Sequence, residues 1–288
     1  MHGVLIRLLD TGHMNRLRMM DSIAENLMVI QQRVKGLAKN SKEPLLVAVS
    51  KTKPVEAILE AYQAGQRHFG ENYAKEIASK AKDPRILSSC PDIRWHFIGH
   101  LQRKAVNKVV GVQNLFVIET VDSPKIAEAL NEGWKKKKTA EKLKVMLELN
   151  TSGEDSKHGF KADEVVEAAK FLKENCDQLR LTGLMTIGSA TNSLQNVKPN
   201  PDFLTLIDCR KRVSEALGFN PDELELSMGM SHDYEHAVEM GSTEVRVGTA
   251  VFGNRPYPPN SDVGDSEVNQ RDSPGSSGEE TAKRFAHH

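Results

Sequence analysis

The chain has 288 residues, of which 39% are hydrophobic and 27% are charged, a composition typical of a globular protein with one large domain or two small ones. Its 39 basic residues balance its 39 acidic residues. This balance argues against nucleic acid or an anionic membrane as the partner and favours small-molecule chemistry.

The cysteines and the N-terminal leader bear on the compartment. The three cysteines are far apart and form no CxxC pair, so neither a disulfide framework nor a zinc site is expected. No apolar run approaches the roughly 20 residues of a membrane helix. The first 20 residues contain three arginines, Arg7, Arg16 and Arg18, and a single acidic residue. This excess of arginine weakly resembles a mitochondrial presequence. The alternative is a leader that is not a targeting signal. We expect a cytoplasmic protein, with a mitochondrial pool if the leader acts as a signal.

Short apolar strands alternate with helical segments along most of the chain. An amphipathic helix is predicted near residues 22–39, and helical periodicity recurs between the strands, as in VEAILEAYQAGQ after Pro54. The eight predicted strands are LLVAVS (45–50), RHFGEN (67–72), RWHFIGH (94–100), LFVIETV (115–121), LKVMLELN (143–150), LTGLMTIGS (181–189), ELELSMGM (223–230) and EVRVGTAVFG (244–253).

This alternation predicts an α/β fold. Several strands are almost continuously apolar, as parallel strands covered on both faces are. Eight βα units in about 210 residues predict a closed (β/α)8 TIM barrel with an extra N-terminal helix, and an open doubly wound sheet is the alternative. We expect one barrel domain at 22–255, a flexible leader at 1–21 and a disordered tail at 256–288, where Pro, Ser, Gly and acids dominate.

Polar residues follow the predicted strands at the end where barrel enzymes place their active sites. Lys51 follows the first strand, Asn72 the second, His100 the third and Asn150 the fifth. Lys51 has two interpretations: a strand-end lysine whose ammonium reaches water, or an amine placed for chemistry.

A phosphate site is predicted after strands seven and eight, where barrels frequently build one. Gly248 allows the backbone to approach a phosphate closely, while Ser231 and Thr249 supply hydroxyl groups and N–H donors. A reactive lysine beside a phosphate site suits pyridoxal phosphate, which carries both an aldehyde and a phosphate. Arg246 is then expected at the pyridine nitrogen, where such enzymes use Asp or Arg. Because arginine does not give up a proton, the ring would be a weak electron sink.

Five motifs carry a family resemblance: VAVSKTKP, GQRHFGENYAKE, RWHFIGHLQRKAVNKVV, GLMTIGS and ELSMGMSHDYEHAVEMGSTEVRVGTAVFGNR. In order and spacing they resemble the pyridoxal phosphate homeostasis proteins, relatives of the barrel domain of alanine racemase, over residues 22–255. The resemblance implies a fold-type III barrel and a protein that carries or buffers the cofactor through a Schiff base, without established turnover. The cofactor-binding residues it implies are Lys51, Asn72, Ser231, Arg246, Gly248 and Thr249.

Other residues have alternative interpretations. Lys53 is the rival amine, and we expect it to cap the strand end and face outward. Asn72 is equally consistent with a helix N-cap. His96 is expected to be a hydrogen-bonded core histidine, and Lys157 and His158 are expected in a solvated loop.

Three function classes follow: a cofactor carrier that hands pyridoxal phosphate to apo-enzymes, a fold-type III racemase or decarboxylase, and a class I aldolase without cofactor. In the racemases a tyrosine from a separate β-domain serves the opposite ring face. We expect no such domain after this barrel, and therefore a monomeric carrier that binds neither nucleic acid nor membranes. The lysine on strand one beside an arginine and a phosphate loop argues against the aldolase.

Overall fold

The computed structural model describes residues 22–38, 43–195 and 197–254, and its eight strands close into a parallel barrel. Each strand pairs with the next along the chain, and the last pairs with the first. The strands are β1 (Leu45–Val49), β2 (His68–Glu71), β3 (Arg94–Phe97), β4 (Leu115–Val121), β5 (Leu143–Glu148), β6 (Leu179–Met185), β7 (Glu225–Ser227) and β8 (Glu244–Val247).

Helices separate all eight strands, as parallel neighbours require a crossover connection. Within the part of the chain that the structure describes, five of the eleven α-helices begin at a capping side chain or at a proline in the first turn. The helices are α1 (Ile23–Leu37), α2 (Val55–Gln63), α3 (Ala74–Lys80), α4 (Pro84–Ser89), α5 (Val106–Val110), α6 (Pro124–Lys135), α7 (Val165–Asn175), α8 (Ala190–Leu194), α9 (Pro201–Leu217), α10 (Tyr234–Glu239) and α11 (Thr249–Phe252). Among the described residues, no helix has the length and hydropathy needed to cross a bilayer.

The predicted closed barrel is confirmed and the open sheet is wrong. All eight predicted strands are present, but every strand except β4 is shorter than predicted. The largest difference is in the eighth strand. It ends at Val247, and residues 249–252 form the single-turn helix α11. The expected leader and the expected tail lie outside the described residues, so that division of the chain stays a prediction.

The strands bury different side chains on their two faces, because successive residues of a strand point to opposite sides. Outward residues such as Ala48, Phe69 and Trp95 pack beneath the helices in the main hydrophobic core. The barrel interior holds a small apolar cluster of Val117, Met146 and Met185. Buried polar residues occupy much of the remaining interior, namely His68, His96, Glu119, Glu148, Ser227, Glu244 and Arg246.

Candidate functional site

Lys51 lies two residues beyond β1, at the C-terminal mouth of the barrel, and is half-buried. Within β1, Val47 and Val49 lie on the inward face, where a Cβ at Gly70 would be 3.1 Å from Val47 and 3.5 Å from Val49. Lys51 follows in the turn that leads to α2.

The backbone before Lys51 is held by a buried ion pair. The Lys80 ammonium donates to the Ser50 carbonyl at 2.8 Å and to Glu71 Oε1 at 2.7 Å, and the Ser50 hydroxyl donates to the same carboxylate oxygen at 2.6 Å. Burial raises the pKa of Glu71 to about 7, although Lys80 and Ser50 act in the opposite direction. The strand end before Lys51 is therefore anchored to α3.

The backbone after Lys51 is held by the same ammonium through a second carboxylate. Glu76 Oε1 accepts from Lys80 Nζ at 2.6 Å and from the Thr52 backbone N–H at 2.7 Å. Thr52 has a φ of 63°, a conformation that L-residues adopt rarely. Lys51 thus projects from a turn that is fixed on both sides.

Lys53 is placed differently from the expectation. It does not face outward: its ammonium donates to the carbonyls of Phe252, Gly253 and Asn254 at 3.0, 2.9 and 2.8 Å. It caps the C-terminal end of α11 instead of a strand end, because β1 and β8 are neighbours in the closed barrel.

The predicted phosphate residues come together beside β1. The Ser231 hydroxyl accepts from the N–H groups of Gly248 and Ala250 at 3.3 and 3.4 Å. A Cβ at Gly248 would lie 3.3 Å from the Val49 carbonyl oxygen, tighter than most contacts of that kind, so glycine suits this close approach of the two strand ends. Thr249 opens α11 directly after Gly248.

Asn72 lies at the mouth and does not cap a helix. The residue before α3 is Tyr73, so the N-cap interpretation of Asn72 is wrong. The Asn72 side-chain oxygen is buried and has no hydrogen-bond partner within the protein. A Cβ at Gly99 would lie 2.0 Å from the Asn72 carbonyl oxygen; only glycine allows the segment after β3 to pass this closely.

Arg246 is buried inside the barrel, below the mouth. Its guanidinium donates to Ser227 Oγ at 2.5 Å and to the Thr186 carbonyl at 2.7 Å. Glu119 Oε2 lies 3.9 Å from the same group. The charge of Arg246 is therefore compensated from below.

A cavity of about 190 Å3 lies at the mouth, lined in part by Asn72, His100, Glu148, Lys157 and His158. The rings of His100 and His158 stack with 3.6 Å between their centroids. Lys157 is half-buried and donates to the Gly188 carbonyl at 2.6 Å, whereas His158 is exposed. The loop after β5 is largely solvated, as expected, yet it also closes one side of this cavity.

The predicted hydrogen-bonded state of His96 is confirmed. It is fully buried, and its two ring nitrogens lie 2.7 Å from Glu119 and 2.8 Å from His68. Sequence reasoning missed Glu119, Ser227 and Glu244 as part of this interior. The only available signal was a charged residue inside an otherwise apolar strand, as at Glu119 in LFVIETV.

The profile of the alanine racemase N-terminal domain matches residues 19–256. The pyridoxal phosphate homeostasis protein of Mus musculus is 54% identical over 215 residues, which make up 75% of this chain and 78% of the mouse protein. The corresponding protein of Schizosaccharomyces pombe is 44% identical over 244 residues, 85% of this chain and 98% of the yeast protein. The chain belongs to the pyridoxal phosphate homeostasis protein family. The resemblance carried by its motifs is thereby confirmed.

Solved structures agree with this family membership. PipY of Synechococcus elongatus, determined with pyridoxal phosphate bound, has a TM-score of 0.64 and 31% identity, and the match covers 81% of this chain and all of PipY. Alanine racemase of Corynebacterium glutamicum has a TM-score of 0.55 at 20% identity over 82% of this chain and 62% of the racemase. The racemase likeness shows the shared barrel fold alone.

Proposed function

We propose that this protein binds pyridoxal 5'-phosphate and carries or buffers it, as an intracellular agent of vitamin B6 homeostasis. The Lys51 amine adds to the cofactor aldehyde, and one water leaves as the Schiff base forms. The observation that carries the proposal is the register of β1 against β8, in which Ala48 pairs with Val247. This register sets the turn that bears Lys51 beside Gly248 and Thr249.

The residues at the mouth suit the phosphate end of the cofactor. The N–H groups of Gly248 and Ala250 point toward the Ser231 hydroxyl over long distances of 3.3 and 3.4 Å. Backbone N–H groups and hydroxyls are common phosphate partners. Ser231, Gly248 and Thr249 would therefore hold the phosphate.

The residues around the mouth also suit the ring. Arg246 has five N–H donors, and two hydrogen bonds to protein acceptors are recorded for its terminal nitrogens, so donors remain for the pyridine nitrogen. The buried Asn72 oxygen without a protein partner supports a polar ligand at this place, since such atoms are normally hydrogen-bonded. We assign Asn72 and Arg246 to the cofactor on these grounds.

A carrier fits these residues better than a racemase or decarboxylase, which is the alternative. Arg246 does not release a proton, so it would leave the ring nitrogen unprotonated and the ring a weak electron sink. A carrier tolerates such a ring, whereas a racemase also needs an acid–base group on the opposite ring face. Curated relatives are named as homeostasis proteins. We propose that apo-enzymes that require pyridoxal phosphate receive the cofactor, that the carrier is monomeric, and that it works in the cytoplasm.

Borohydride trapping tests the covalent assignment. The purified protein is loaded with pyridoxal phosphate, reduced and digested, and the modified peptide is identified by mass spectrometry. The adduct should map to Lys51 and vanish in Lys51→Ala. Lys53→Ala, which removes the neighbouring amine, is the matched control and should keep the adduct. An adduct on Lys53 or Lys157 in the wild-type protein would contradict the assignment.

Proton exchange separates the carrier from the racemase. The loaded protein is incubated with alanine or serine in heavy water, and deuterium at the α-carbon is followed by NMR. Exchange no faster than with free pyridoxal phosphate supports the carrier. Exchange with racemization at about 1 per second or faster would establish the racemase instead.

A further inference from the structure

Two carboxyl groups are buried below Arg246 and share one hydroxyl group. Ser227 Oγ lies 2.7 Å from Glu119 Oε2 and 2.8 Å from Glu244 Oε1. Arg246 Nη1 lies 2.5 Å from the same hydroxyl oxygen. All four side chains are at most 4% exposed, so bulk solvent does not reach them.

The protons in this cluster can be counted. A serine hydroxyl donates one hydrogen bond and accepts two, and arginine only donates. Arg246 therefore occupies one lone pair of Ser227, and the hydroxyl proton serves one of the two carboxylates. The second carboxyl group makes a hydrogen bond with Ser227 only if it donates to the remaining lone pair. One of Glu119 and Glu244 must then carry a proton.

A chain of hydrogen bonds ends at one of the two glutamates. Arg94 Nη1 lies 3.2 Å from His68 Nε2, which must accept because arginine donates. His68 Nδ1–H then donates to His96 Nε2 over 2.8 Å, and His96 Nδ1–H donates to Glu119 Oε1 over 2.7 Å. Burial, reinforced by positive neighbours, lowers the pKa of His68 to about 3, consistent with this neutral form. Glu119 therefore accepts a hydrogen bond from His96 and lies 3.9 Å from the Arg246 guanidinium. Both contacts favour a carboxylate at Glu119 and place the proton on Glu244.

The directions of the pKa shifts of the two glutamates agree with a proton on Glu244. Burial would raise the pKa of Glu119, but the hydrogen bond from His96 and the charge of Arg246 outweigh it, and its pKa is lowered. Burial and the negative charge of Glu119 raise the pKa of Glu244 well above its usual value, against the opposing effects of Ser227 and Arg246.

The remaining charges near Glu244 lie below it. His96 Nδ1 is 3.8 Å from Glu244 Oε2. The N-terminal end of the barrel opens into a cavity of about 370 Å3, whose lining includes Arg94, Lys144 and Arg180 alongside Glu43, Glu223 and Glu225. Positive and negative groups are mixed in that cavity, so it does not supply a dedicated cation for an ionised Glu244.

We propose that Glu244 is a neutral carboxylic acid at neutral pH and acts as a positioning residue for Arg246. Its O–H donates to Ser227, Ser227 donates to Glu119, and Glu119 compensates the charge of Arg246. The guanidinium is thereby fixed from below. The effect of Glu244 on cofactor binding, through the position of Arg246, rests on the proposed function. The protonation of Glu244 does not.

Infrared difference spectroscopy of the cofactor-free protein tests the protonation directly. A protonated carboxyl group has its own C=O stretching band, separate from carboxylate bands. Glu244→Gln should remove one such band at pH 7, whereas Glu167→Gln, which changes an exposed carboxylate on α7, should leave it in place. If Glu244→Gln removes no band of a protonated carboxyl group, the proposal is overturned, whether or not the protein binds the cofactor.

Thermal unfolding of Glu244→Gln and Glu119→Gln gives an independent readout. A glutamine at 244 keeps a donor toward Ser227, so its melting temperature should stay within about 2 °C of wild type. A glutamine at 119 places its NH2 group opposite a hydrogen-bond donor, either the His96 N–H or the Ser227 hydroxyl. The melting temperature of this variant should therefore fall by roughly 3–10 °C. Equal losses in both variants would contradict the assignment of the proton to Glu244.

The positioning role has its own test. Glu244→Leu keeps the bulk of the side chain but cannot donate to Ser227, and Glu244→Gln restores a donor. Fluorescence titration with pyridoxal phosphate should show roughly threefold to tenfold weaker binding for the leucine variant, with affinity recovered in the glutamine variant. Equal affinity of all three proteins would refute the positioning role. If the wild-type protein binds no cofactor at all, the proposed function fails while the infrared result stands.

Discussion

Glu148 should make the stability of the protein fall as the pH rises, and Glu148→Gln should remove this effect. Glu148 ends β5 at the barrel mouth, is 5% exposed, and its Oε2 has no hydrogen-bond partner. Burial, followed by the negative charge of Asp122, raises its pKa from 4.5 to about 7. A glutamine has nearly the same shape and does not ionise.

The magnitude follows from proton linkage. Between pH 4.5 and 7 the unfolded chain releases the Glu148 proton and the folded protein keeps it, so unfolding becomes more favourable as the pH rises. The stability contributed by the protonated group is fully present below 4.5 and is lost as the pH rises through the folded pKa of about 7. Each pKa unit corresponds to about 1.4 kcal/mol, so the total loss is about 3 kcal/mol.

Urea denaturation of the cofactor-free protein, followed by circular dichroism at pH 4 and pH 8, measures this difference. The unfolding free energy of Glu148→Gln minus that of wild type should rise by about 3 kcal/mol over the interval. Glu167→Gln is the control, because Glu167 is 76% exposed on α7, and its curve should run parallel to wild type. If Glu148→Gln also runs parallel to wild type, the folded protein does not hold this proton and the reasoning is refuted.

Three further substitutions test the barrel mouth. Lys80→Met should lower the unfolding free energy by about 3–5 kcal/mol at pH 8, because Glu71 is left buried without its cation; a loss that did not shrink below pH 7 in urea melts would contradict this. Gly99→Ala should destabilise the fold strongly, since its Cβ meets the Asn72 carbonyl oxygen at 2.0 Å, and an unchanged melting temperature would refute that contact. Ser231→Ala should weaken pyridoxal phosphate binding by roughly one to two orders of magnitude in fluorescence titrations; if pyridoxal without phosphate binds the wild type equally well, the phosphate assignment is wrong.

The strand pattern and the strand-end residues are local properties, and the sequence was sufficient for them. Apolar runs of strand length separated by helical periods predict parallel strands in a closed barrel. Parallel strands place all their C-terminal ends on one face. Lys51, Ser231, Gly248 and Thr249 could therefore be assigned to one mouth, although 180 residues separate Lys51 from Ser231.

The local sequence pattern could not predict a residue's environment where that environment depends on how a helix packs or on distant parts of the chain that meet in space. Lys53 appeared to be an outward-facing strand cap, but the closure of β1 on β8 brings α11 within its reach. The anchoring of Lys51 by Lys80 depends on the rotation of α3 about its axis and on where it packs against β2. Neither is encoded in the spacing of the lysines.

The hydrogen bonds beneath Arg246 were decided only by the tertiary structure. The sequence shows glutamates in β4 and β8 and a serine in β7, but strand alternation by itself does not tell which of the three face the barrel interior. Glu119 and Ser227 are 108 residues apart, and they meet because the shear of the closed barrel sets which inward residues share a level. Whether Glu244 holds a proton depends in turn on that meeting, since desolvation and a neighbouring carboxylate change a pKa only once the chain has brought them together.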